Sequence, residues 1–521
     1  MGGLFGFIKI DSMGKTTSTF IALSLVVFSV KGVAQVHYHP DGHPWRQHAN
    51  DGPDSEVTGW FYNLGTTGIR CELVADRSKS LLVRYVFPKS PAWQEVQIGD
   101  LIVGIDKTPF KNSHKNGYGM KVFGAQGPIS ELAAAIQARQ GTNRAIKLPL
   151  LIERNGDRVD VEITLAKSRG YFAGDISENS PNSNKALDHL LDYLVEHQRE
   201  DGSWGSPPHD TFAPLALMSS SKKKHREAVL KNVRMHAKTT HADDDSWLVN
   251  WRYMSAGLVL SEYYLQTGEK WLLPQLQEVY EFLISSQYVD LSQLNPKSHE
   301  THPHAVPKHP LDSHGGWGHN PGFEGYGPIS MLTAQGALVF ALMSKCGIEV
   351  SRERHQAAYA FLRRASGDNF YVWYEDKAAG PKDWADMGRT GTAAIAFHMS
   401  PWKEEHMSLS LKYAELIGKH PESFPDTHGS PVMGMAFGAL GAFCDQPSFA
   451  KLMNANRWWF TLSECSDGSF YYQPNRDNAG YGSDSRISAS AAVAFILSLQ
   501  KRALTVSGRT SRFAAEIPKA N

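Results

Sequence analysis

Several residue types that move protons stand just ahead of apolar segments in the last third of the chain. Asp386 and Arg389 precede "TGTAAIAF", Asp426 and His428 lie in "FPDTHGSP", and Tyr471, Tyr472, Arg476 and Asp477 lie in "FYYQPNRD". A carboxylate beside a histidine or tyrosine can serve as the acid or base that cleaves a polysaccharide, by hydrolysis or by elimination. Asp386, Arg389, Asp426 and His428 are therefore the catalytic candidates. Tyr471 and Tyr472, with Arg476 and Asp477 beside them, can stack on and grip a sugar ring. With His319 and Tyr326 they form the substrate-binding candidates. Each residue also has a plainer reading, because Asp, Ser and Thr ahead of a helix are ordinary caps and paired tyrosines pack turns.

A second chemical candidate is the stretch "SHETHPHAVPKHPLDSHGGWGHN", residues 298–320, which holds six of the chain's 22 histidines. Pro303, Pro307 and Pro310 exclude a regular helix, so His302 and His304 cannot share a helical face. A loop can still gather three imidazoles, which is enough for an open zinc site. No acidic or thiolate partner stands at a fixed spacing. The expectation is thus no cofactor, with zinc at His302, His304 and His314 as the alternative.

Bulk composition narrows the field. Lys plus Arg number 53 and Asp plus Glu number 53, so no charge excess points to nucleic acid or an anionic membrane. Lys15 and the apolar run "TSTFIALSLVVFSV" precede Gly32-Val33-Ala34, the pattern of a signal peptide over residues 1–34. The run is short for a membrane span, so the expectation is export to the periplasm or medium with no stable span after cleavage. Only Cys444 and Cys465 among four cysteines lie close enough in sequence to suspect pairing, and buried free thiols are the default. No nucleotide-binding loop, His-Glu-x-x-His or Gly-x-Ser-x-Gly element appears.

The elements that must position these residues come in two textures. After a polar leader at 35–56, residues 57–166 read as short strands, "LLVRYVF", "LIVGID", "AIKLPLLIER" and "RVDVEITL", with Asn155-Gly156-Asp157 as a hairpin turn. One helix, "ISELAAAIQARQG", interrupts them. Residues 167–505 are helical and 506–521 a polar tail. Six amphipathic segments, at 184–198, 223–237, 270–287, 352–366, 404–420 and 448–464, alternate with six that are apolar nearly all round. This describes an (α/α)6 barrel in which every inner helix runs the same way, so the loops entering them share one rim. The candidate residues fall on those loops. Six helix N-termini there would favour an anionic group.

Specific resemblances then enter. The stretch "SPAWQEVQIGDLIVGIDKTPF" (90–110) resembles the most diagnostic part of a PDZ domain, and "NLGTTGI" (63–69) holds the place of its carboxylate-binding loop. The resemblance implies a peptide or protein C-terminus captured at Leu64, Gly65, Thr66, Thr67, Gly68 and Ile69 by β-augmentation. The loop departs from the usual short Gly-apolar-Gly-apolar form. Gln198-x3-Gly202-x-Trp204, with a weaker copy at Glu464-x3-Gly468-x-Phe470, looks like the repeat motif of the terpenoid cyclase and protein prenyltransferase toroids. Their catalytic motifs do not carry over: Ala242-Asp243-Asp244-Asp245 lacks the first carboxylate of D-x-D-D and reads better as an N-cap cluster, and Cys444-Asp445 is reversed. Gly315-x-Trp317 repeats the motif's second half after Gln287, which makes 288–314 an insertion within a repeat turn.

The whole resembles an uncharacterised family of exported bacterial proteins that join a PDZ-like domain to such a toroid. The fold expected is α+β and multidomain, a small PDZ-like β-sandwich or barrel followed by an (α/α)6 toroid. The function expected is binding, and acid–base cleavage, of a glycan at the toroid rim. A non-catalytic binding scaffold is the alternative, and a terpenoid- or prenyl-type enzyme a third.

Overall fold

The computed structural model describes residues 61–73, 75–114, 125–140, 146–165, 176–177, 180–205, 207–380, 386–427, 431–473 and 485–515. The expected signal peptide and leader, along with His428, Arg476 and Asp477, lie outside them. Among the described residues no helix is long and apolar enough to cross a membrane.

The N-terminal part is an antiparallel sheet. Its strands are β1 (Phe61–Asn63), β2 (Ile69–Glu72), β3 (Leu81–Val86), β4 (Leu101–Ile105), β5 (Thr108–Pro109), β6 (Ile146–Arg154) and β7 (Asp157–Leu165). They run in the order β1-β2-β3-β4-β6-β7, with β5 paired to β4. The β6–β7 hairpin turns at Asn155 and Gly156, whose φ angles of 53° and 92° are those of the tight turn expected there. Helix α1 (Pro128–Arg139) starts on its own proline and lies across the sheet.

The helical part follows. Outer helices are α2 (Pro181–Glu196), α4 (Lys223–Thr239), α6 (Leu272–Ser286), α9 (Arg352–Ala365), α11 (Lys403–Lys419) and the pair α13 (Gln446–Ala455) and α14 (Arg457–Ser463). Inner helices are α3 (Pro207–Leu217), α5 (Val249–Thr267), α8 (Ser330–Lys345), α10 (Gly388–Met399), α12 (Pro431–Ala442) and α15 (Ser485–Ser498). A short helix α7 (Ser298–Thr301) sits in the histidine-rich insertion. Each inner helix packs on the next, and α15 packs on α3, which closes the ring. The chain is therefore α+β, an antiparallel sheet followed by an α/α toroid. On α6 the stripe Leu272, Leu276, Val279, Tyr280 and Leu283 is buried, the amphipathic face its 3.6-residue period requires. Between α10 and α12, a Cβ on Gly388 would stand 2.4 Å from the Gly434 Cα, so these two backbones cross where neither has a side chain.

The repeat turns are latched in a common way. Gln198 Nε2 donates to the carbonyls of Gly202 (2.9 Å) and Ala228 (2.8 Å), and Trp204 Nε1 donates to that of Leu194 at 2.7 Å. Gln287 and Trp317 repeat this on Gly315 (2.7 Å), Arg354 (3.0 Å) and Leu283 (2.8 Å). The amide ties its own turn to the next outer helix, and residues 288–314 are looped out between its two halves.

Two expectations are corrected. The sixth outer segment breaks at Asn456, whose side chain donates to the Pro421 and Leu452 carbonyls. Asp243–Asp245 do not cap α5: the residue before that helix is Leu248, at φ 57° and with no side-chain cap. Asp244 instead accepts from the Ser246 N–H (2.9 Å) and the Tyr253 hydroxyl (3.1 Å) and pairs with Arg252. The cysteines follow the default reading: Cys444 and Cys465 are not joined, and all four are free thiols, Cys444 half-buried and the others buried.

The peptide-binding expectation is corrected as well. Leu64, Thr66, Thr67 and Ile69 are buried, as are Gly65 and Gly68. The edge of β2 is already paired with β1, Tyr62 opposite Cys71. A Cβ on Gly65 would stand 2.6 Å from the Thr461 carbonyl oxygen, so α14 closes the loop from outside. Gln137 of α1 donates to the Thr461 hydroxyl at 2.7 Å. The slot a peptide would take is filled by the chain itself.

Candidate functional site at the toroid mouth

A cavity of about 510 Å³ opens where inner helices α3, α5, α8, α10 and α12 begin. Pro207 and Pro208 line it from α3, Trp247 and Leu248 from the turn before α5, Trp251 and Arg252 from α5, and His319, Ile329 and Met331 from α8 and the turn before it. Tyr374, Asp386, Arg389 and Met433 complete the wall. An apolar cup with a few convergent polar groups is the usual form of a small-molecule site.

Asp386 and Arg389 form its charged wall. Arg389 Nη1 donates to Asp386 Oδ2 and Nη2 to the Tyr371 hydroxyl, both at 2.8 Å. Both side chains of the ion pair are nearly buried, and the Arg389 guanidinium also lies 5.5 Å from the Tyr374 ring centroid. Asp386 stands at φ 39°, a backbone conformation that is uncommon outside glycine and gathers at functional sites. Its N–H donates to the Asp426 carbonyl at 3.0 Å, so the backbone brings two of the catalytic candidates together. Asp426 is buried behind the wall rather than lining the cavity.

A second polar group approaches from α5 and the turn before α8. Trp251 Nε1 donates to His319 Nδ1 at 2.8 Å, His319 Nε2 bonds the Tyr326 hydroxyl, and Tyr326 is 3.0 Å from the Tyr374 hydroxyl. Burial lowers the His319 pKa, with Glu324 opposing. Burial, followed by the bond with Tyr326, pushes the Tyr374 hydroxyl far up, so it stays protonated. His319 and Tyr326 were legible as rim residues. Trp247, Trp251, Arg252, Tyr371 and Tyr374 were not, because "SWLVNWRYM" reads as one apolar segment and "FYVWYED" has no period. Trp247 is 72% exposed at the mouth, and the left-handed Leu248 beside it is held by its N–H donating to Asn320 Oδ1 at 2.7 Å.

The remaining candidates lie elsewhere. Tyr471 and Tyr472 are buried against the sheet: the Arg70 guanidinium stacks on Tyr471 at 4.5 Å, and the Tyr472 hydroxyl bonds that of Ser488. They serve packing, not a sugar, because the next residue, Gln473, binds strand β1. The rings of His302 and His304 stand 6.4 Å apart, and His302 meets Tyr326 edge-on at 5.7 Å. Burial lowers the His314 pKa, and the neighbouring Arg364 and Arg354 guanidinium groups lower it further. Among the described residues no three His, Cys, Asp or Glu side chains come together as a metal-holding group.

Fold and cavity define the class of protein, an α/α toroid with a site at the mouth of its ring. The sequence profile of a domain of unknown function, DUF6288, matches residues 183–508, and the chain belongs to that family. No curated protein matches it. Among solved structures it is similar to an inactive variant of the α-1,6-mannanase GH76A of Salegentibacter sp. HEL1_6, in complex with α-1,6-mannotriose. That match has 10% identity and a TM-score of 0.42, covering 62% of this chain and 99% of that one. A glycosyl hydrolase of family 88 from Bacteroides vulgatus is similar at 11% identity and TM-score 0.43, over 62% of this chain and 99% of that one. A family 76 glycoside hydrolase from a bovine Bacteroides thetaiotaomicron strain is similar at 12% identity and TM-score 0.43, over 68% and 84%.

Proposed function

We propose that the toroid binds an anionic glycan across its mouth and cleaves it there by acid–base chemistry. One observation carries the reading: the exposed Trp247 and the half-buried Trp251 and Tyr374 stand around the same cavity as the nearly buried Asp386–Arg389 pair. Flat aromatic faces suit the apolar face of a pyranose ring. Two guanidinium groups, Arg252 paired with Asp244 and Arg389 paired with Asp386, line the cavity, where Asp386 is the one described carboxylate in the lining, and the inner-helix N-termini add positive potential. That balance favours a uronate or sulfated sugar.

Hydrolysis uses two carboxyl groups about 5–10 Å apart, one of them able to give up a proton. The described lining supplies Asp386 alone, and that carboxylate already accepts from Arg389. Elimination asks instead for a cation on the sugar carboxylate, a base for the ring proton beside it and a proton for the leaving oxygen; Arg389 would meet the carboxylate, and the Asp386 carboxylate would take the ring proton and return it to the leaving oxygen. The apolar run at residues 17–30 suits export to where such polymers occur. The N-terminal sheet acts as a brace for the toroid.

The test is turnover of uronate-rich, sulfated and neutral polysaccharides by the purified protein. Ultraviolet-absorbing unsaturated ends would support elimination, and new reducing ends without them would mark hydrolysis. Binding without cleavage would leave a scaffold. Absence of binding to every anionic glycan would sink the proposal.

A further inference from the structure

Polar groups that line the cavity are already engaged with one another. Arg252 pairs with Asp244 and donates to Ser246 Oγ at 3.2 Å. Arg389 is bonded to Asp386 and Tyr371, and His319 to Trp251 and Tyr326. Much of the remaining wall offers a sugar hydroxyl little. Pro207, Pro208, Val249, Ile329, Met331 and Met433 carry no side-chain donor, and their only side-chain acceptors are two weak thioethers. A hydroxyl that left water for this surface would lose hydrogen bonds without regaining them. The cavity therefore suits an apolar group of a ligand as well as its charge, and thioethers and indole faces pack well on a flat aromatic ring.

The mouth carries a second, independent sign. Trp247 is 72% exposed and Leu248 beside it 42%. Leu248 stands at φ 57°, a conformation that a leucine rarely adopts and that gathers at ligand-binding sites. It is held there firmly: its N–H donates to Asn320 Oδ1 at 2.7 Å, and Asn320 Nδ2 donates to Glu324 Oε2 at 2.7 Å. Its carbonyl accepts from the Trp251 N–H at 3.3 Å. An uncommon backbone thus keeps two apolar side chains in water at the edge of an apolar cavity.

Resting on the glycan reading above, we propose that the anionic sugar bound here carries an aromatic substituent, which packs in the cavity against Ile329, Met331 and Met433, with Trp247 and Leu248 flanking it at the mouth as specificity-determining residues. The substituent hangs either from the anomeric oxygen or from a ring hydroxyl; the chemistry that recognises it is the same. Charge and apolar area then act together, and a sugar with only one of the two binds more weakly.

Calorimetric titration of the full chain with four small ligands tests this. Methyl β-D-glucuronide has the charge alone, and phenyl β-D-glucoside the ring alone. Phenyl β-D-glucuronide has both, with the ring on the anomeric oxygen, and methyl 2-O-benzoyl-β-D-glucuronide has both, with the ring on a hydroxyl. One of these last two should bind about 30-fold more tightly than methyl glucuronide, the gain expected from burying one phenyl ring. Whichever shows it locates the substituent. Trp247→Ser should reduce that gain by about 5-fold and Leu248→Gly by about 3-fold. Glycine is at ease at φ 57°, so Leu248→Gly should keep its thermal midpoint, and its lost affinity is then not lost fold. Equal affinity for all three glucuronides would overturn the aromatic substituent and leave the anionic-glycan reading standing. Phenyl glucoside binding as tightly as phenyl glucuronide would do the reverse. A gain unchanged in both variants would remove Trp247 and Leu248 from the site, and no binding of any of the four would remove both readings.

Discussion

Gln473 and Asn63, 410 positions apart, are joined as two strands would be: Asn63 N–H donates to Gln473 Oε1 at 3.0 Å, and Gln473 Nε2 donates to the Asn63 carbonyl at 3.1 Å. One side-chain amide thus satisfies both backbone groups of a β1 residue and docks the sheet on the toroid. Both residues are buried, so Gln473→Ala leaves a donor and an acceptor without partners. At about 1–3 kcal/mol for each of the two stranded groups, the variant should lose roughly 2–6 kcal/mol. Urea denaturation followed separately on the sheet and the helices would show it, with the sheet releasing first. An unchanged midpoint would mean that α1 and α14 hold the interface without this pair.

The glutamine latches make a second prediction. Gln198 and Gln287 each donate twice, once within the turn and once to the next outer helix. Replacing either by alanine should cost about 1–3 kcal/mol, because a turn carbonyl and a carbonyl of the next outer helix each lose a donor. Gln287→Ala should also expose the base of the 288–314 insertion, so protease cleavage there should quicken while Gln198→Ala leaves it unchanged. Equal cleavage in both variants would show that the insertion is anchored by its other contacts.

Much of this architecture was legible, and the reasons differ by element. The twelve-segment alternation was readable because amphipathic and all-apolar helices have different periods of polarity. The second latch was readable despite its interruption, because Gln287 and Gly315-x-Trp317 keep their chemistry across the insertion. The docking of Tyr471, Tyr472 and Gln473 was not, since pairing across most of the chain leaves no local pattern. Nor was the closed loop at 64–69, where a familiar motif is sealed by α14, a helix with no sequence link to it. The site itself was half legible: Asp386 and Arg389 stood out as charges ahead of an apolar helix. Tyr374 follows an outer helix and reaches the mouth only because residues 366–374 fold back, Val372 pairing with Ser366.

Asp210 supplies a pH prediction. It lies one turn into α3, beside the cavity-lining Pro207 and Pro208, and accepts from the Trp204 N–H at 2.7 Å. Burial outweighs that bond and raises its pKa to about 7. The folded state therefore holds the proton more tightly than the unfolded chain, where the value is 3.8. Its contribution is complete below the unfolded value and is lost as pH rises toward about 7. With about 1.4 kcal/mol per unit, the loss is on the order of 4 kcal/mol. Asp210→Asn should flatten this part of the stability profile, measured by thermal or urea denaturation at a series of pH values. A variant with the native slope would show that Asp210 is charged in the folded protein.

The pair at the cavity wall gives the prediction that bears most directly on function. Arg389 bridges the Asp386 carboxylate and the Tyr371 hydroxyl with two nitrogens of one planar fork. Lysine is a point charge and can hold one of those partners well, so Arg389→Lys should weaken binding of an anionic glycan and slow its cleavage together. Asp386→Asn separates the two effects. It leaves Arg389 uncompensated in the cavity, so an anionic glycan should bind more tightly, by about 10-fold for 1.4 kcal/mol of added attraction. Removing one partner of a nearly buried ion pair should also lower stability, by roughly 3 kcal/mol, which thermal denaturation would register before any assay. Turnover should fall in the same variant by about 100-fold, because the carboxylate that orients the guanidinium is gone. Calorimetric titration with the glycan and initial rates on the same preparation would compare the two changes. If Asp386→Asn neither tightens binding nor slows turnover, the pair only anchors the start of α10, and the cavity's chemistry must rest on Arg252 and Tyr374.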